Sequence, residues 1–341
     1  MKKIRTQDAV GQVLCHDMTQ IIKGVTKDAR FRKGHIVTEE DIPVLLSLGK
    51  EHLYVWEKDE HMLHENEAAE ILYQICAGEY MEPTPVKEGK IEVIAQIDGL
   101  LTIEIERLRQ VNSLGEMMIA TRASHFPVQK GDHLAGTRII PLIIEKQKME
   151  QAKAIAGDQP LLKLHPFLLK KAALITTGSE VYKSRIKDTF SPVIIDKLAE
   201  YGAEVVEHTL LPDEHEQITT AIKQALEHGV EMVIVTGGMS VDPDDRTPLA
   251  IKNSGAKVVS YGAPVLPGAM FMLAYADGGV PIMGLPGCVM YAKRTIFDLV
   301  LPRVLAGIEV SAADLAGLGH GGLCLNCDEC TFPKCGFGKG V

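Results

Sequence analysis

The stretch EMVIVTGGMS, Glu231 to Ser240, decides the fold class. Residues 231–236 form a nearly unbroken apolar, β-branched run, the composition of a strand buried on both faces. The run stops at Gly237-Gly238, where the chain turns. The same pattern recurs on either side. Residues 172–177 (AALITT) run into Gly178-Ser179-Glu180, and residues 280–285 (VPIMGL) run into Pro286-Gly287. Helix signals lie between. Ser191-Pro192 joins a capping residue to a proline suited to a first turn, and Gly202 closes that helix. Asp213 and Glu216 read as a capping box for a helix to Glu227, which Gly229 stops. Residues 204–209 and 256–260 add strands, and a last helix is expected over 289–305. This alternation predicts an α/β domain at 170–310, a mostly parallel sheet covered by helices.

Residues 1–165 read differently, as an α+β domain. Residues 91–97 alternate in polarity and end at Asp98-Gly99, a hairpin signal that makes 100–105 the partner strand. Residues 138–145 are strand-like, and 67–77 have helical spacing. Thr38 caps a short helix with Asp41 three residues on, and Gly49 ends it. The charged helix at 146–156 serves as a linker.

Composition narrows the function. The 341 residues carry a formal net charge of −9, the wrong sign for tracking a nucleic-acid backbone. The aromatic residues form no repeating stack on which bases could lie. No apolar segment follows the basic start MKKIR, and no run of about 18 apolar residues occurs. A cytoplasmic protein with no membrane contact is expected.

Ligands of open α/β sheets bind beyond the carboxyl ends of the strands. Three such ends carry small residues: Thr177-Gly178-Ser179-Glu180, Gly237-Gly238-Met239-Ser240 and Pro286-Gly287. Glycine lets backbone approach a ligand closely, and exposed N–H groups suit phosphate. Asp242, Asp244 and Asp245 follow the second loop, and clustered carboxylates can hold Mg²⁺ against a phosphate. Asp213 lies on a further loop, where it reads equally as a helix cap or as a functional carboxylate.

The seven cysteines are unevenly spread. Cys15, Cys76 and Cys288 stand alone. Cys324, Cys327, Cys330 and Cys335 share the last 18 residues, as C-x2-C-x2-C-x4-C. Four thiolates at that density suit tetrahedral zinc or an iron–sulfur cluster. Residues 317–341 are therefore expected to form a small metal-binding tail on a glycine-rich lead. Cys288 reads as a small buried residue, with contact to a ligand-bound metal as the alternative.

In their order, the motifs from Ala172 to Gly307 resemble the molybdopterin-binding domains of molybdenum cofactor biosynthesis. The quoted elements are Thr177–Glu180, Ser191-Pro192, Leu211-Pro212-Asp213-Glu214, Thr236–Ser240, the acidic loop ending at Asp245, and Leu285-Pro286-Gly287. The resemblance extends to the molybdopterin molybdenumtransferases. It implies that Thr177, Gly178, Ser179, Glu180, Gly237, Gly238, Ser240, Pro286 and Gly287 bind the pterin and its phosphate. It also implies that Asp213 and Asp245 are catalytic, with Mg²⁺ at Asp242 and Asp245. The implied partners are molybdopterin or its adenylylated form, a molybdenum or tungsten enzyme, and a second copy in a homodimer. The implied activity is metal insertion into adenylylated molybdopterin. A non-catalytic cofactor carrier and a molybdopterin adenylyltransferase are the alternatives. Three departures stand out. The lysine-bearing K-P-G-K-P segment is replaced by Val265-Leu266-Pro267-Gly268-Ala269. The usual Asn-Pro after Pro-Gly is Cys288-Val289. The N-terminal D-x-S-A-M-D-G-Y-A motif is missing.

Overall fold

The computed structural model describes residues 2–22, 26–55, 60–185, 187–240 and 245–340. The chain forms two compact units. The first comprises Met1–Gln96, Glu104–Arg122 and Gly131–Lys163; the second comprises Ile97–Ile103, Ala123–Lys130 and Leu164–Val341. The cysteine-rich tail thus falls inside the second unit.

The second unit is built on a six-stranded sheet. Its strand order is Glu204–Leu211, Lys171–Thr177, Met232–Thr236, Pro281–Leu285, Met272–Tyr275, Lys257–Tyr261. The first four strands are parallel. The apolar runs are buried on both faces, as their composition requires. Leu174, Ile234 and Met283 face a core completed by Ile194, Phe297 and Val300. Ile175, Val233, Val235 and Ile282 face the opposite core, with Ile218, Ile222 and Ile251. Each fully buried aliphatic side chain contributes roughly 1.5–3 kcal/mol.

Two features differ from the expected pattern. Met272–Tyr275 is a strand antiparallel to both neighbours, inserted between Pro281–Leu285 and Lys257–Tyr261. It lies within an apolar run whose turn residues, Pro267-Gly268, precede it and conceal its start. The helix expected over 289–305 is broken. A 3-10 turn spans Gly287–Met290, and a new helix, Ile296–Leu305, begins at its own capping box. There the Thr295 N–H donates to Asp298 Oδ2 at 2.7 Å, and the Phe297 N–H donates to Thr295 Oγ1 at 3.2 Å.

In the first unit, Met81–Pro83, Lys90–Ala95, His133–Ile139 and Met117–Thr121 form an antiparallel sheet. The Glu65–Cys76 helix starts at a capping box between His64 and Glu67 and buries Ala68, Ala69, Leu72 and Cys76. Lys146–Ala156 is helical, but it buries Met149, Ala152 and Ala156, so it is packed rather than a free linker. The hairpin expected at Asp98-Gly99 does not form. Lys90–Ala95 pairs with Met81–Pro83 and His133–Ile139, whereas Gly99–Ile103 pairs with Phe126–Val128. Asp98 is engaged elsewhere: its Oδ1 accepts the Lys130 N–H at 2.7 Å.

The tail is folded back and packed. Phe337 is buried and belongs to the core cluster that contains Phe126. The Phe332 ring lies 5.9 Å from Phe126 and 6.2 Å from Phe337, favourable distances for tilted aromatic pairs. Backbone bonds anchor its lead. Leu266 N–H donates to Gly322 O at 2.9 Å, Cys324 N–H to Leu266 O at 2.8 Å, and Gly338 N–H to Gly321 O at 2.9 Å. Among the described residues, no helix is long and apolar enough to cross a membrane.

Burial gives the second unit a pH signature. His125 is lowered to about 4 by burial, with the Arg303 charge reinforcing the shift. Its folded value lies below the unfolded one, so the unfolded chain binds the extra proton first. Stability is expected to fall as pH drops from about 6.5 toward 4, and this contribution is flat outside that window. Thermal melts across this range should show the slope, and His125→Gln should flatten it. An unchanged slope in the variant would remove His125 as its source.

Candidate functional site

The register of the parallel strands brings the predicted loops to one edge. Thr176 aligns with Thr236, and Thr236 with Leu285, so all three strands end at one level. The loops at Thr177–Glu180, Gly237–Ser240 and Pro286-Gly287 therefore share the carboxyl edge of the sheet. Thr177 also aligns with Leu211, which places the Asp213 loop at the same edge.

The Thr177 and Gly237 loops are in close approach. Gly237 has φ +88°, and a Cβ there would lie 2.2 Å from Thr177 O and 2.6 Å from Thr177 Oγ1. Only glycine fits. Thr247 fastens the turn from behind: its Oγ1 donates to Gly237 O at 2.8 Å, and its N–H donates to Gly238 O at 3.2 Å.

Two hydroxyls at this edge are orphaned. Thr177 Oγ1 and Thr236 Oγ1 are buried and have no hydrogen-bond partner. An unsatisfied buried polar group costs about 1–3 kcal/mol, so native proteins keep few of them. Both lie at the ends of strands that run into glycine loops. A polar ligand entering the loops can satisfy them.

Asp213 does not cap the His215–Glu227 helix, whose first residues receive no side-chain bond. Its Oδ2 instead accepts the Ser179 N–H at 2.8 Å, tying one loop to the other. This corrects the capping-box expectation: the carboxylate orients the Thr177–Glu180 loop. Asp245 stands on the other side of that loop. Burial raises the Tyr261 phenol, and the Asp245 charge adds to the shift. Tyr261 OH donates to Met239 O at 3.0 Å, bracing the second loop. The Asp213 and Asp245 loops follow strands that flank Lys171–Thr177 on opposite sides. Those strands are about 10 Å apart, so one ligand touching both carboxylates would span the Thr177 loop. Asp242 and the side chain of Glu180 lie outside the described residues.

A polar cluster below the Thr177 loop was not evident in the sequence. Thr176 Oγ1, Ser191 Oγ and His208 Nε2 are mutually 2.9–3.2 Å apart. Ser191 is not the helix cap. Asp188 is, accepting from the Phe190 and Ser191 N–H groups at 2.9 and 3.1 Å. Burial alone would raise the Asp188 carboxyl. Its bonds from Ser191 and the backbone outweigh that and hold it below the usual range. The signal was the three-residue spacing of Asp188 and Ser191, obscured by the more conspicuous Ser-Pro pair. Tyr261 and Thr247 carried no signal.

Cys288 sits in the 3-10 turn after Pro286, half-buried, and burial raises its thiol. The four tail cysteines line one cavity of about 690 Å³, together with Pro267, Lys293, Arg294, Leu323 and Phe337. They are not drawn into a closed ligand set. Among the described residues, no three metal-ligating side chains already form a group that could hold an ion.

Comparison with known proteins agrees with this geometry. Residues 173–306 match a family model described as "Probable molybdopterin binding domain", and residues 3–57 match a domain of unknown function. A molybdopterin molybdenumtransferase of Synechococcus elongatus is 26% identical over 181 residues, covering 50% of this chain and 42% of that protein. A CinA-like protein of Mycobacterium tuberculosis is 32% identical over 77 residues, 23% of this chain and 18% of that one. The chain thus spans less than half the length of these curated relatives. Among solved structures, the molybdopterin biosynthesis enzyme MoaB of Thermus thermophilus is 22% identical at a TM-score of 0.34, over 41% of this chain and 98% of that one. The parallel sheet and its glycine-loop edge lie in the matched segment, and residues 173–306 are similar to the probable molybdopterin-binding domain family.

Proposed function

We propose that the carboxyl edge of the sheet binds phosphorylated or adenylylated molybdopterin and that the chain is molybdenumtransferase-like. The observation that carries this is the pair of orphaned threonine hydroxyls, Thr177 and Thr236, beside a glycine cradle that a single Cβ would fill. In this role the Thr177 and Ser179 hydroxyls offer donors to the ligand, Gly178 lets it approach the backbone closely, and Asp213 holds the Ser179 N–H in place. Gly237, Gly238 and Ser240 line the second wall, with Pro286 and Gly287 as the third. Asp245 and Asp242 would hold Mg²⁺, which prefers one or two carboxylates plus substrate phosphate. Bound there, the ion supplies charge neutralisation at the phosphate. The tail cysteines complete the proposal as a metal site for an iron–sulfur cluster or zinc. It extends to a homodimer serving a molybdenum or tungsten enzyme.

The test uses the full chain with adenylylated molybdopterin, Mg²⁺ and molybdate. AMP release and active cofactor are expected. Asp245→Ala should lower turnover by about 100-fold, as loss of a metal-held charge does, while pterin affinity measured by calorimetry stays close to wild type. Equal turnover in the variant removes Asp245 from the mechanism.

One observation favours the carrier reading. The Val265-Leu266-Pro267-Gly268-Ala269 segment offers no cation to an oxyanion, and the backbone of Leu266 is committed to Gly322 and Cys324. Tight pterin binding without AMP release would select that reading.

A further inference from the structure

The tail cavity carries information about its occupant. Cys324, Cys327, Cys330 and Cys335 all line it, and the isolated cysteines do not. Cys327 and Cys330 are exposed, whereas Cys324 and Cys335 are half-buried. A single zinc ion draws four sulfurs to about 2.3 Å around a point. Here the thiols stand around a volume of about 690 Å³. A polynuclear cluster is the occupant that takes thiolates around a volume.

The wall carries charge of both signs: Lys293 and Arg294 line it together with Asp328, and Arg294 is already paired with Glu200 and Asp298. Four thiolates on a cubane cluster leave roughly two net negative charges. Arg294 is held by Asp298 and Glu200, each at 2.8 Å, and its guanidinium lies 5.1 Å from the centre of the Phe332 ring. Lys293 Nζ donates to Asp328 O at 2.7 Å, reaching across to the turn between Cys327 and Cys330. Leu323, Leu325, Pro267 and Phe337 make the rest of the lining largely apolar, a setting that strengthens charge interactions.

We propose that this cavity is the receptor of a thiolate-ligated iron–sulfur cluster, with Lys293 as its counter-charge. The proposal deepens the reading of the tail as a metal site and does not depend on pterin binding.

The full chain, purified anaerobically and treated with ferric iron, sulfide and dithiothreitol, whose thiols supply the two electrons that bring four ferric ions to the mixed-valence core, should turn brown, with absorbance near 400 nm. It should retain about four iron and four sulfide per chain. Cys330→Ser, at an exposed position, should lose most of that iron while its circular dichroism and melting temperature stay as in the wild-type apo chain. Lys293→Gln should keep the iron but shift the cluster's reduction potential to a more negative value, because a positive charge is lost beside it. A colourless protein holding one zinc per chain, not displaced by iron and sulfide, would overturn the cluster while leaving the metal site. Iron retained equally by Cys330→Ser would overturn the assignment of these ligands. An unchanged potential in Lys293→Gln would overturn the counter-charge role. Failure to bind pterin would leave each of these readouts intact, so the two proposals fail separately.

Discussion

Gly237→Ala is expected to destabilise the second unit by about 3 kcal/mol and to remove measurable ligand binding. Two penalties act together. At φ +88° an L-residue adds roughly 1–2 kcal/mol of backbone strain. The new methyl would also meet Thr177 O at 2.2 Å, Thr177 Oγ1 at 2.6 Å and Thr177 C at 2.9 Å. The carbonyl oxygen and carbon are backbone at the end of a central strand and cannot swing aside, and overpacking at such points costs about 1–3 kcal/mol. Whatever relief occurs must push the two loops apart and so open the proposed cradle. Gly287→Ala is the matched control. It lies at the same edge, but a Cβ there meets nothing within 4 Å. Its stability should stay within about 0.5 kcal/mol of wild type. Denaturant titration of both variants checks this, with calorimetry on a pterin ligand. A Gly237→Ala chain as stable as the control would show that the strand end yields.

Asp298→Ala should be equally severe, by a different route. Asp298 and Lys197 are almost completely buried and pair at 2.5 Å. Asp298 also accepts from Arg294 at 2.8 Å and caps its own helix through the Thr295 N–H. Removing the carboxylate leaves the Lys197 ammonium buried with only the Lys293 carbonyl at 3.1 Å. Breaking a buried pair from one side costs about 3–5 kcal/mol, and the lost cap adds to it. A drop in melting temperature of roughly 10 °C is expected. Replacing both partners, Lys197→Met with Asp298→Leu, should recover more than half of the loss. The pair's worth lies chiefly in mutual compensation. A double variant no better than Asp298→Ala would show that the cap and Arg294, rather than the pair, dominate.

The parallel sheet was legible because both-face burial leaves a plain mark: 231–236 and 172–177 can be little else than central strands. The shared edge of the glycine loops was legible for the same reason, since glycines follow each run directly. What escaped was set by tertiary partners. Asp213 looks like a helix cap in one dimension, and only the folded chain shows its oxygen on the Ser179 N–H. Asp98-Gly99 has the composition of a hairpin, yet Gly99–Ile103 finds its partner in Phe126–Val128, more than 20 residues on. The antiparallel Met272–Tyr275 strand was hidden inside a longer apolar run. Tyr261, which braces the second loop by a single hydroxyl, has no local signature.

The division of the chain has a practical bearing on excision. Ile97–Ile103 and Ala123–Lys130 are contributed to the second unit from within the stretch that otherwise builds the first. Phe126, from one of these loans, sits in the same core cluster as Phe337 and Leu299. A fragment cut at Leu164 would keep every residue of the matched family domain. It would nevertheless expose the inner surface that Phe126 covers and leave the cysteine tail without part of its seat. The unit that carries the parallel sheet is not a cassette that one scission can release or one recombination can transplant.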